Sequence, residues 1–501
     1  MPQGRLRLGR FHASSRSSYR EEKTEPHCQA SAPREEELTD IAEIAGRTAI
    51  EIAFAYRNGE IGPVALTEYL LERIEKAERD NIFITVTPAR ARKEAEAAEA
   101  RYRRRRPLSV LDGVPIAWKD LFDVADAPTT GGSLLFSAKT PKERDLACVA
   151  NAAAAGMVCM GKLNLSELAY SGLGLNPHFG TPVNPNDRAT HRSPGGSSSG
   201  SGAAVAAGLV PCAVGTDTGG SVRIPASFNG VVGFKTSEGR IDKTGVIPLS
   251  RTLDTIGPLA RSVADCAVLD MVLRGAVAVD AERGDISGLR VVVPKNLVCD
   301  EAEPVVLANF ERSLDALGRA GATVTWRKID AIDEITDMTA RHGSLTAAEA
   351  YFEYRDVVES EKVHSLDPRV VHRIFRGREM SAHDLLSIQN SRRKAIADLQ
   401  ATLADALLVM PTTPITAPVI APLEVDDKLF HEVNLRTLRN TMLGNNLRLC
   451  GLAIPNGRDN RNLPTSILFS APHGEDRRLL GFGLEIERVL SGMFDPLPAA
   501  A

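Results

Sequence analysis

Several features that identify other classes of protein are missing from this sequence of 501 residues. No apolar run reaches the roughly 18–20 residues that a membrane-spanning helix requires. The ten histidines show no HExxH or other ligand spacing, and none of the seven cysteines forms a CxxC pair. We therefore expect no metal site and no cofactor, and we expect reduced, buried thiols rather than disulfides.

A large excess of one charge is also missing, since the formal net charge is only −4. Such a balance creates no global field that would attract nucleic acid or a membrane surface. The sequence motifs of nucleotide-binding loops are not complete. No Walker A motif with its Gly-Lys-Ser/Thr is found, and Gly172-Leu-Gly174 lacks the third glycine of a dinucleotide-binding loop. The N-terminus has no secretory apolar segment. We therefore expect a cytoplasmic protein without nucleic-acid or membrane partners.

The N-terminal segment differs in composition from the rest of the chain. Its first 20 residues contain five arginines, four serines and no acidic residue. An organelle transit peptide has a similar composition, but here the polar stretch continues to Glu37 without an apolar face. We therefore predict a disordered tail over residues 1–35. A targeting segment and a misassigned start codon stay open as alternatives.

From residue 36 onward, helical and strand patterns alternate along the chain. Apolar residues at three-to-four spacing predict a helix over Glu36–Arg57, and Pro63 opens a second helix. Short apolar runs predict strands at 114–124, 209–215 and 406–410. We see no linker composition after residue 35, so the pattern predicts one large α/β domain over residues 36–495, with a largely parallel or mixed sheet.

The densest run of small residues lies between Pro194 and Ser221 and contains two Gly-Gly-Ser steps, which end at Ser197 and Ser221. Small residues let two backbone segments and a ligand approach closely. Ser221 follows an apolar strand and two glycines, so successive N–H groups can point at one anion. A serine nucleophile also needs a base, but His178 and His191, the nearest histidines, read as loop residues. This pattern favours acyl chemistry with a base that lies elsewhere.

Lys119 is the other unusual residue, because it lies in the predicted buried strand at 114–124. Burial disfavours the charged form of a lysine and lowers its pKa. To be neutral near pH 7.5 its pKa must fall by about 3 from 10.4, which costs about 4 kcal/mol. From this spacing alone, a lysine at a sheet edge or one that snorkels to solvent is favoured over a catalytic base.

Three segments, taken together and in order, resemble the amidase signature family of serine hydrolases. They are Gly113-Val-Pro-Ile-Ala-Trp-Lys-Asp120, Pro194-Gly-Gly-Ser-Ser-Ser-Gly200 and Gly215-Thr-Asp-Thr-Gly-Gly-Ser-Val-Arg-Ile-Pro-Ala226. The resemblance spans about residues 40–490, with a signature core at about 110–265 and a variable pocket region at about 328–440. It implies a single domain whose twisted mixed sheet is covered by helices on both faces. It also implies hydrolysis of a small-molecule amide, and a homodimer.

The resemblance implies a Ser-Ser-Lys triad and reverses the interpretation of Lys119. By position, Lys119 is the base, Ser197 is the bridging serine that follows a cis peptide bond, and Ser221 is the nucleophile that forms an acyl-enzyme. The oxyanion would be held by backbone N–H groups of four consecutive residues, namely Thr218, Gly219, Gly220 and Ser221.

Three further residues are expected to support the triad. Ser198 is expected to hydrogen-bond to Ser197. Asp217 and Arg223 are expected to form a charge network beneath the loop, and a direct role for this pair stays open. The family more often has glycine at Ser199, which is expected to leave the triad intact; the other departures, also at scaffold or rim positions, are Asp126, Ala127, Asn229 and Thr236.

The substrate pocket and the physiological reaction are less specified. Pocket walls are expected from the variable region and from the segment formed by Tyr170, Ser171, Gly172 and Leu173. A free-standing amidase is favoured over the glutamine-hydrolysing A subunit of the tRNA-dependent amidotransferase, because Ile224 stands where that subunit typically has glutamine. A non-catalytic binding protein on the same fold is a further alternative, disfavoured because all three triad residues are present.

Overall fold

The computed structural model describes residues 41–136, 140–281 and 284–491, so the predicted tail over residues 1–35 lies outside the described residues. Sixteen α-helices lie within these ranges, numbered in chain order: α1 Ile41–Gly46, α2 Ala49–Asn58, α3 Pro63–Lys76, α4 Pro88–Arg103, α5 Ala147–Ala154, α6 Ser199–Ala206, α7 Arg223–Asn229, α8 Val263–Leu273, α9 Pro304–Arg319, α10 Asp330–His342, α11 Leu345–Val358, α12 Pro368–Phe375, α13 Ala382–Leu403, α14 Ala421–Val425, α15 Asp427–Asn446 and α16 Asp476–Ser491. None of the helices in the described ranges has the length and apolar character needed to cross a bilayer.

The strands of the same ranges form one sheet. They are β1 Phe83–Val86, β2 Pro115–Lys119, β3 Val158–Leu163, β4 Cys212–Asp217, β5 Val232–Lys235, β6 Thr255–Ala260, β7 Arg290–Pro294, β8 Thr323–Arg327, β9 Leu407–Pro411, β10 Cys450–Arg458 and β11 Pro464–Ala471. Their order across the sheet is β1-β3-β2-β4-β6-β5-β10-β11-β9-β7-β8. Strand β2 is parallel to both β3 and β4, whereas β4 is antiparallel to β6. The sheet is therefore mixed, as predicted.

Helices cover both faces of the sheet. Gly233 of β5 lies directly opposite Ala453 of β10, so both residues face the same side. Helix α7 packs on that side, where a Cβ at Gly233 would lie 2.6 Å from the Cβ of Ala226. The neighbouring Leu452 points to the opposite side and contacts Gly483 of α16. The fold is thus the predicted α/β domain with helices on both faces.

The first predicted helix, over residues 36–57, is wrong in one respect, because the described part forms two helices. The first helix ends at Gly46, and Thr48 caps α2: its hydroxyl accepts from the N–H of Glu51, and the Glu51 carboxylate accepts from the N–H of Thr48. This reciprocal capping box satisfies N–H groups that a continuous helix would have bonded internally. Two helices therefore replace one.

The cysteines within the described ranges are free thiols, as predicted. Five are buried and Cys299 is partly exposed. Burial raises the pKa of Cys148 to about 12 and that of Cys159 to about 11, so both stay protonated at neutral pH. They act as small apolar side chains in the core.

Candidate active site

Lys119 lies at the end of β2, between β3 and β4 in the middle of the parallel part of the sheet. Its side chain is fully buried. The Nζ atom donates hydrogen bonds to Ser197 Oγ at 2.7 Å and to Thr216 Oγ1 at 2.8 Å. Both partners are hydroxyls, so neither neutralises a positive charge. The site therefore favours an uncharged amine.

The pKa of Lys119 reflects these surroundings. Burial lowers it from 10.5 to about 7, against the opposing negative charges of Asp254 and Asp217. Near neutral pH a large share of the molecules therefore carries Lys119 as a neutral amine, which has a lone pair for a proton. The structure thus places the proposed base next to the proposed bridging serine, in a suitable protonation state.

Ser197 is fully buried, and the peptide bond between Gly196 and Ser197 is cis. Its neighbour Ser198 does not take the expected role. The Ser198 hydroxyl donates to the carbonyl oxygen of Thr216 at 3.2 Å, and its N–H donates to the carbonyl oxygen of Ser221 at 3.2 Å. Ser198 therefore fastens the two serine segments to each other and to β4, rather than bonding to the Ser197 hydroxyl.

Ser221 lies just beyond β4, in the loop that leads into α7. It lines a cavity of about 750 Å³ together with Thr218 and Gly219. Among the described residues, no hydrogen-bond partner holds its hydroxyl. Ser221 is therefore the member of the two-serine pair that faces the space where a substrate would bind.

The loop before Ser221 offers backbone donors, but Gly220 is not among them. The Gly220 N–H already donates to Asp217 Oδ1 at 2.9 Å. A group that is bonded to a buried carboxylate is not available to an oxyanion, so the predicted role of Gly220 is contradicted by this contact. Within the described part of the chain, the N–H groups of Thr218, Gly219 and Ser221 have no acceptor outside the strand ladder.

The buried carboxylate of Asp217 stabilises this loop through hydrogen bonds. It accepts five hydrogen bonds: from the N–H groups of Gly220 and Val222, from Nε and Nη2 of Arg223, and from Nδ2 of Asn445. Burial alone would raise the pKa of Asp217, but the charge and hydrogen bonds of Arg223 outweigh it and keep that pKa well below its ordinary value. Neither Asp217 nor Arg223 lines the cavity, which favours the structural role over a direct one.

Sequence reasoning missed the contribution of α15 to this loop. Thr441 donates its hydroxyl to the carbonyl oxygen of Gly219 at 2.7 Å, and Asn445 bonds to both Asp217 and Arg223. The peptide between Gly219 and Gly220 is therefore held at its oxygen by Thr441 and at its N–H by Asp217. Gly220 has a φ of 137° and its Cβ position is filled by Thr441, so only glycine fits there.

The cavity walls come mainly from the predicted variable region. Tyr170 and Ser171 line the cavity, as expected, but Gly172 and Leu173 do not. Gly172 donates its N–H to Asn434 Oδ1, and Leu173 is buried in a separate apolar cluster. Ala169 and Leu249 also line the cavity. The remaining wall residues come from the ends or faces of α10 to α13 and from α15: Thr339, Arg341, His342, Gly343, Ser344, Thr346, Ala347, His372, Arg373, Arg376, Glu379, Met380, Asp384, Lys428, His431, Glu432, Leu435, Leu438 and Met442.

The side chains that meet in the site are hydroxyls and an amine rather than a set of metal ligands. Across the described ranges, no group of three or more histidine, cysteine, aspartate or glutamate side chains lies close enough to hold a metal ion. The reacting part of the site therefore combines a buried amine, two hydroxyls and a set of backbone N–H groups.

Comparison with known proteins gives a consistent result. A family model described as Amidase matches residues 65–480. The chain is 35% identical over 455 residues to 2-amino-5-chloromuconic acid deaminase of Comamonas testosteroni, covering 88% of this chain and 95% of that protein. It is 31% identical over 481 residues to the A subunit of the glutamyl-tRNA(Gln) amidotransferase of Cupriavidus necator, covering 86% and 94%. A crystal structure of an amidase matches with a TM-score of 0.79 at 29% identity, covering 89% of this chain and all of that one.

Proposed function

This chain belongs to the Amidase family and is a hydrolase that acts on amide C–N bonds, and we propose that it does so through Lys119, Ser197 and Ser221. The substrate is a carboxylic amide, and the products are a carboxylate and ammonia or an amine. One observation carries the proposal: the buried Lys119 Nζ lies 2.7 Å from Ser197 Oγ, in surroundings that lower its pKa to about 7.

The reaction begins with a proton relay. Neutral Lys119 accepts the proton of the Ser197 hydroxyl, and Ser197 accepts the proton of the Ser221 hydroxyl as the latter attacks the amide carbon. The relay needs Lys119 as an acceptor, although in the resting site its amine donates to Ser197. A neutral amine can do both, because it has two N–H groups and one lone pair.

The negative charge then develops on the carbonyl oxygen of the substrate. We assign its stabilisation to the N–H groups of Thr218, Gly219 and Ser221, which the fixed peptide between Gly219 and Gly220 keeps in place. Removing one such donor in comparable sites costs about 3–4 kcal/mol of transition-state stabilisation. The C–N bond breaks when the relayed proton returns to the leaving amine. Water then hydrolyses the Ser221 ester, which releases the carboxylate.

Covalent labelling tests the nucleophile directly. A fluorophosphonate or a neutral sulfonyl fluoride should modify Ser221, as identified by mass spectrometry of the digested protein. Ser171 provides the matched control, because it lines the same cavity: Ser171→Ala should still be labelled, whereas Ser221→Ala should not. Folded protein that is left unmodified at Ser221, or that is labelled equally after Ser221→Ala, contradicts the proposal.

A second candidate function has support from the relatives that are A subunits of glutamyl-tRNA(Gln) amidotransferases. In that case the substrate would be glutamine, and the released ammonia would serve another protein. Ile224, which is fully buried at the start of α7, argues against it, since glutamine typically occupies that position in those proteins. Measured ammonia release separates the two: a free amidase should hydrolyse simple amides faster than glutamine without added partners.

The assembly and the location stay predictions. The homodimer that the resemblance implies is tested by light scattering of the purified protein. The cytoplasmic location is tested by fractionation of the source cells.

A further inference from the structure

One arginine in the cavity wall, Arg373 on α12, has an aromatic ring beside it but no acid. Its guanidinium carbon is 4.5 Å from the centre of the Tyr170 ring. Its Nε atom is buried without a hydrogen-bond partner, and among the described residues no carboxylate lies within ion-pair distance of its guanidinium. Arg373 and Tyr170 line the same cavity as Ser221.

The same helix provides a contrast. Arg369, one turn earlier, is paired with Asp367 through Nε at 2.9 Å and Nη2 at 2.8 Å, and it packs over Phe430. A partly buried arginine of this protein can thus have both a ring and a carboxylate. Within the described ranges Arg373 has the Tyr170 side chain as its partner but no carboxylate, so the anionic half of the same arrangement is left for a ligand to supply.

The local charges make an unpaired guanidinium costly here. Burial lowers the pKa of Arg373 and outweighs the interaction with Tyr170, which raises it, while the nearby positive charge of Arg376 lowers it further. The three acids of the cavity wall do not compensate. Asp384 is bound by His342 and by the hydroxyl of Ser381, and Glu432 lies 3.9 Å from Lys428. Among the described residues, Glu379 is not within ion-pair distance of Arg373 either. Arg373 is partly buried, and a donor such as its Nε that is buried without an acceptor is unfavourable. Guanidinium groups bind carboxylates in a planar, two-bond geometry.

We infer that Arg373, stacked on Tyr170, binds a carboxylate of the substrate, so that the amides this enzyme cleaves are themselves carboxylic acids. The inference rests on the proposed function, because it names the substrate class of the same site. In the simplest case this carboxylate belongs to the acyl part of the amide substrate. A half-amide of a dicarboxylic acid reacts with one water molecule, its C–N bond breaks, and it yields the dicarboxylate and ammonium.

A panel of matched amides tests the substrate class. Succinamate and glutaramate are compared with butanamide and pentanamide, which have the same number of carbons without the acid. N-acetyl-β-alanine and N-propylacetamide form the corresponding pair for an acid in the amine half. We expect the acid of at least one pair to have a kcat/KM about 10- to 100-fold higher than its neutral partner. Equal or better hydrolysis of every neutral amide would overturn the inference.

Variants test whether Arg373 is responsible. Arg373→Met should abolish the preference for the acid, and Arg373→Lys should retain part of it, because lysine keeps the charge but not the planar pair of donors. Arg341→Met is the matched control, since Arg341 lines the same cavity but is exposed and bonds to the carbonyl of Asp337. A preference that survives Arg373→Met, or that Arg341→Met removes equally, would contradict the assignment.

Different experimental results would refute the inference and the proposed function. Binding of succinate, glutarate and adipate to the Ser221→Ala protein can be measured by calorimetry, which needs no turnover. Binding that is lost when Arg373→Met is added supports the subsite, and the absence of any binding refutes it. Unlabelled Ser221 in the covalent assay refutes the nucleophile alone. Labelling of the Arg373→Met protein at the parent rate by a neutral sulfonyl fluoride would show that this variant is folded.

Discussion

Replacing Lys119 with methionine should make the folded protein more stable at neutral pH while it removes the activity. The side chain is fully buried, and methionine has a similar length without the charge. The folded state holds this lysine in a place where protonation is unfavourable, whereas the unfolded chain does not. The lysine therefore carries a cost in stability that only its function explains.

The size of the effect follows from the two pKa values. The pKa falls from 10.5 to about 7 on folding, so between these two pH values the unfolded state binds more protons and the stability of the parent rises with pH. At pH 7 the accumulated cost is about 4 kcal/mol. The methionine variant avoids this cost but lacks the two hydrogen bonds to Ser197 and Thr216, each of which contributes about 1 kcal/mol. The net gain at pH 7 is then about 2 kcal/mol.

The pH dependence is the feature that distinguishes this explanation. Between pH 7.5 and pH 9.5 the stability advantage of Lys119→Met should shrink by about 3 kcal/mol and change sign, because folding of the parent releases the proton of Lys119 and this release costs less as the pH rises. Denaturant unfolding of both proteins across this range measures the difference. A variant that is less stable at every pH, with no trend in the difference, would refute the reasoning.

Lys162 provides the control for this experiment. It is also a fully buried strand lysine, but its Nζ lies 2.5 Å from Asp120 Oδ1. Lys162→Met would leave the Asp120 carboxylate buried without its cation, so it should destabilise the protein by about 3–5 kcal/mol. The two substitutions are chemically identical, and opposite signs at pH 7 would show that the environment of each amine decides the outcome.

Two further predictions concern the rate. The kcat/KM should rise with pH through about 7, because the neutral fraction of Lys119 grows as its proton is lost; a flat profile between about pH 6 and pH 9 would remove the lysine from the mechanism. Thr441→Val should lower kcat about 5- to 10-fold by releasing the carbonyl of Gly219. The control is Thr437→Val, since the Thr437 hydroxyl bonds to Val433 within the same helix; equal losses in both variants would mean general damage to α15.

The sheet was predictable because its strands are short apolar runs with clear ends. The predicted strands at 209–215 and 406–410 overlap β4 and β9, and the predicted bounds differ from the observed ones by only a few residues. The first helix was predicted as one piece because its apolar spacing runs past the break. The break itself has a local signal, since Thr48 and Glu51 form the spacing of a capping box.

The residues of the site that lie in short sequence motifs were predictable, whereas those that reach it only through tertiary contacts were not. Lys119 and Ser197 lie in motifs, and the structure places their side chains in contact. Thr441 and Asn445 reach the loop from more than 200 residues further along the chain, and no local pattern marks such a partner. The occupied N–H of Gly220 was missed for a similar reason, because the sequence shows a glycine-rich turn but not the carboxylate beneath it.

The contacts of α15 link the shape of the pocket to the positions of the oxyanion donors, which the sequence pattern assigns to separate regions. One face of this helix lines the cavity, for example at Leu438 and Met442, and its last turns hold the loop through Thr441 and Asn445. A substitution that reshapes the pocket by moving α15 therefore also moves the peptide that fixes the oxyanion donors. Adaptation to a new substrate through α15 should then change kcat together with KM, whereas adaptation through α12, which has no contact with that loop among the hydrogen bonds of the described residues, should act mainly on KM.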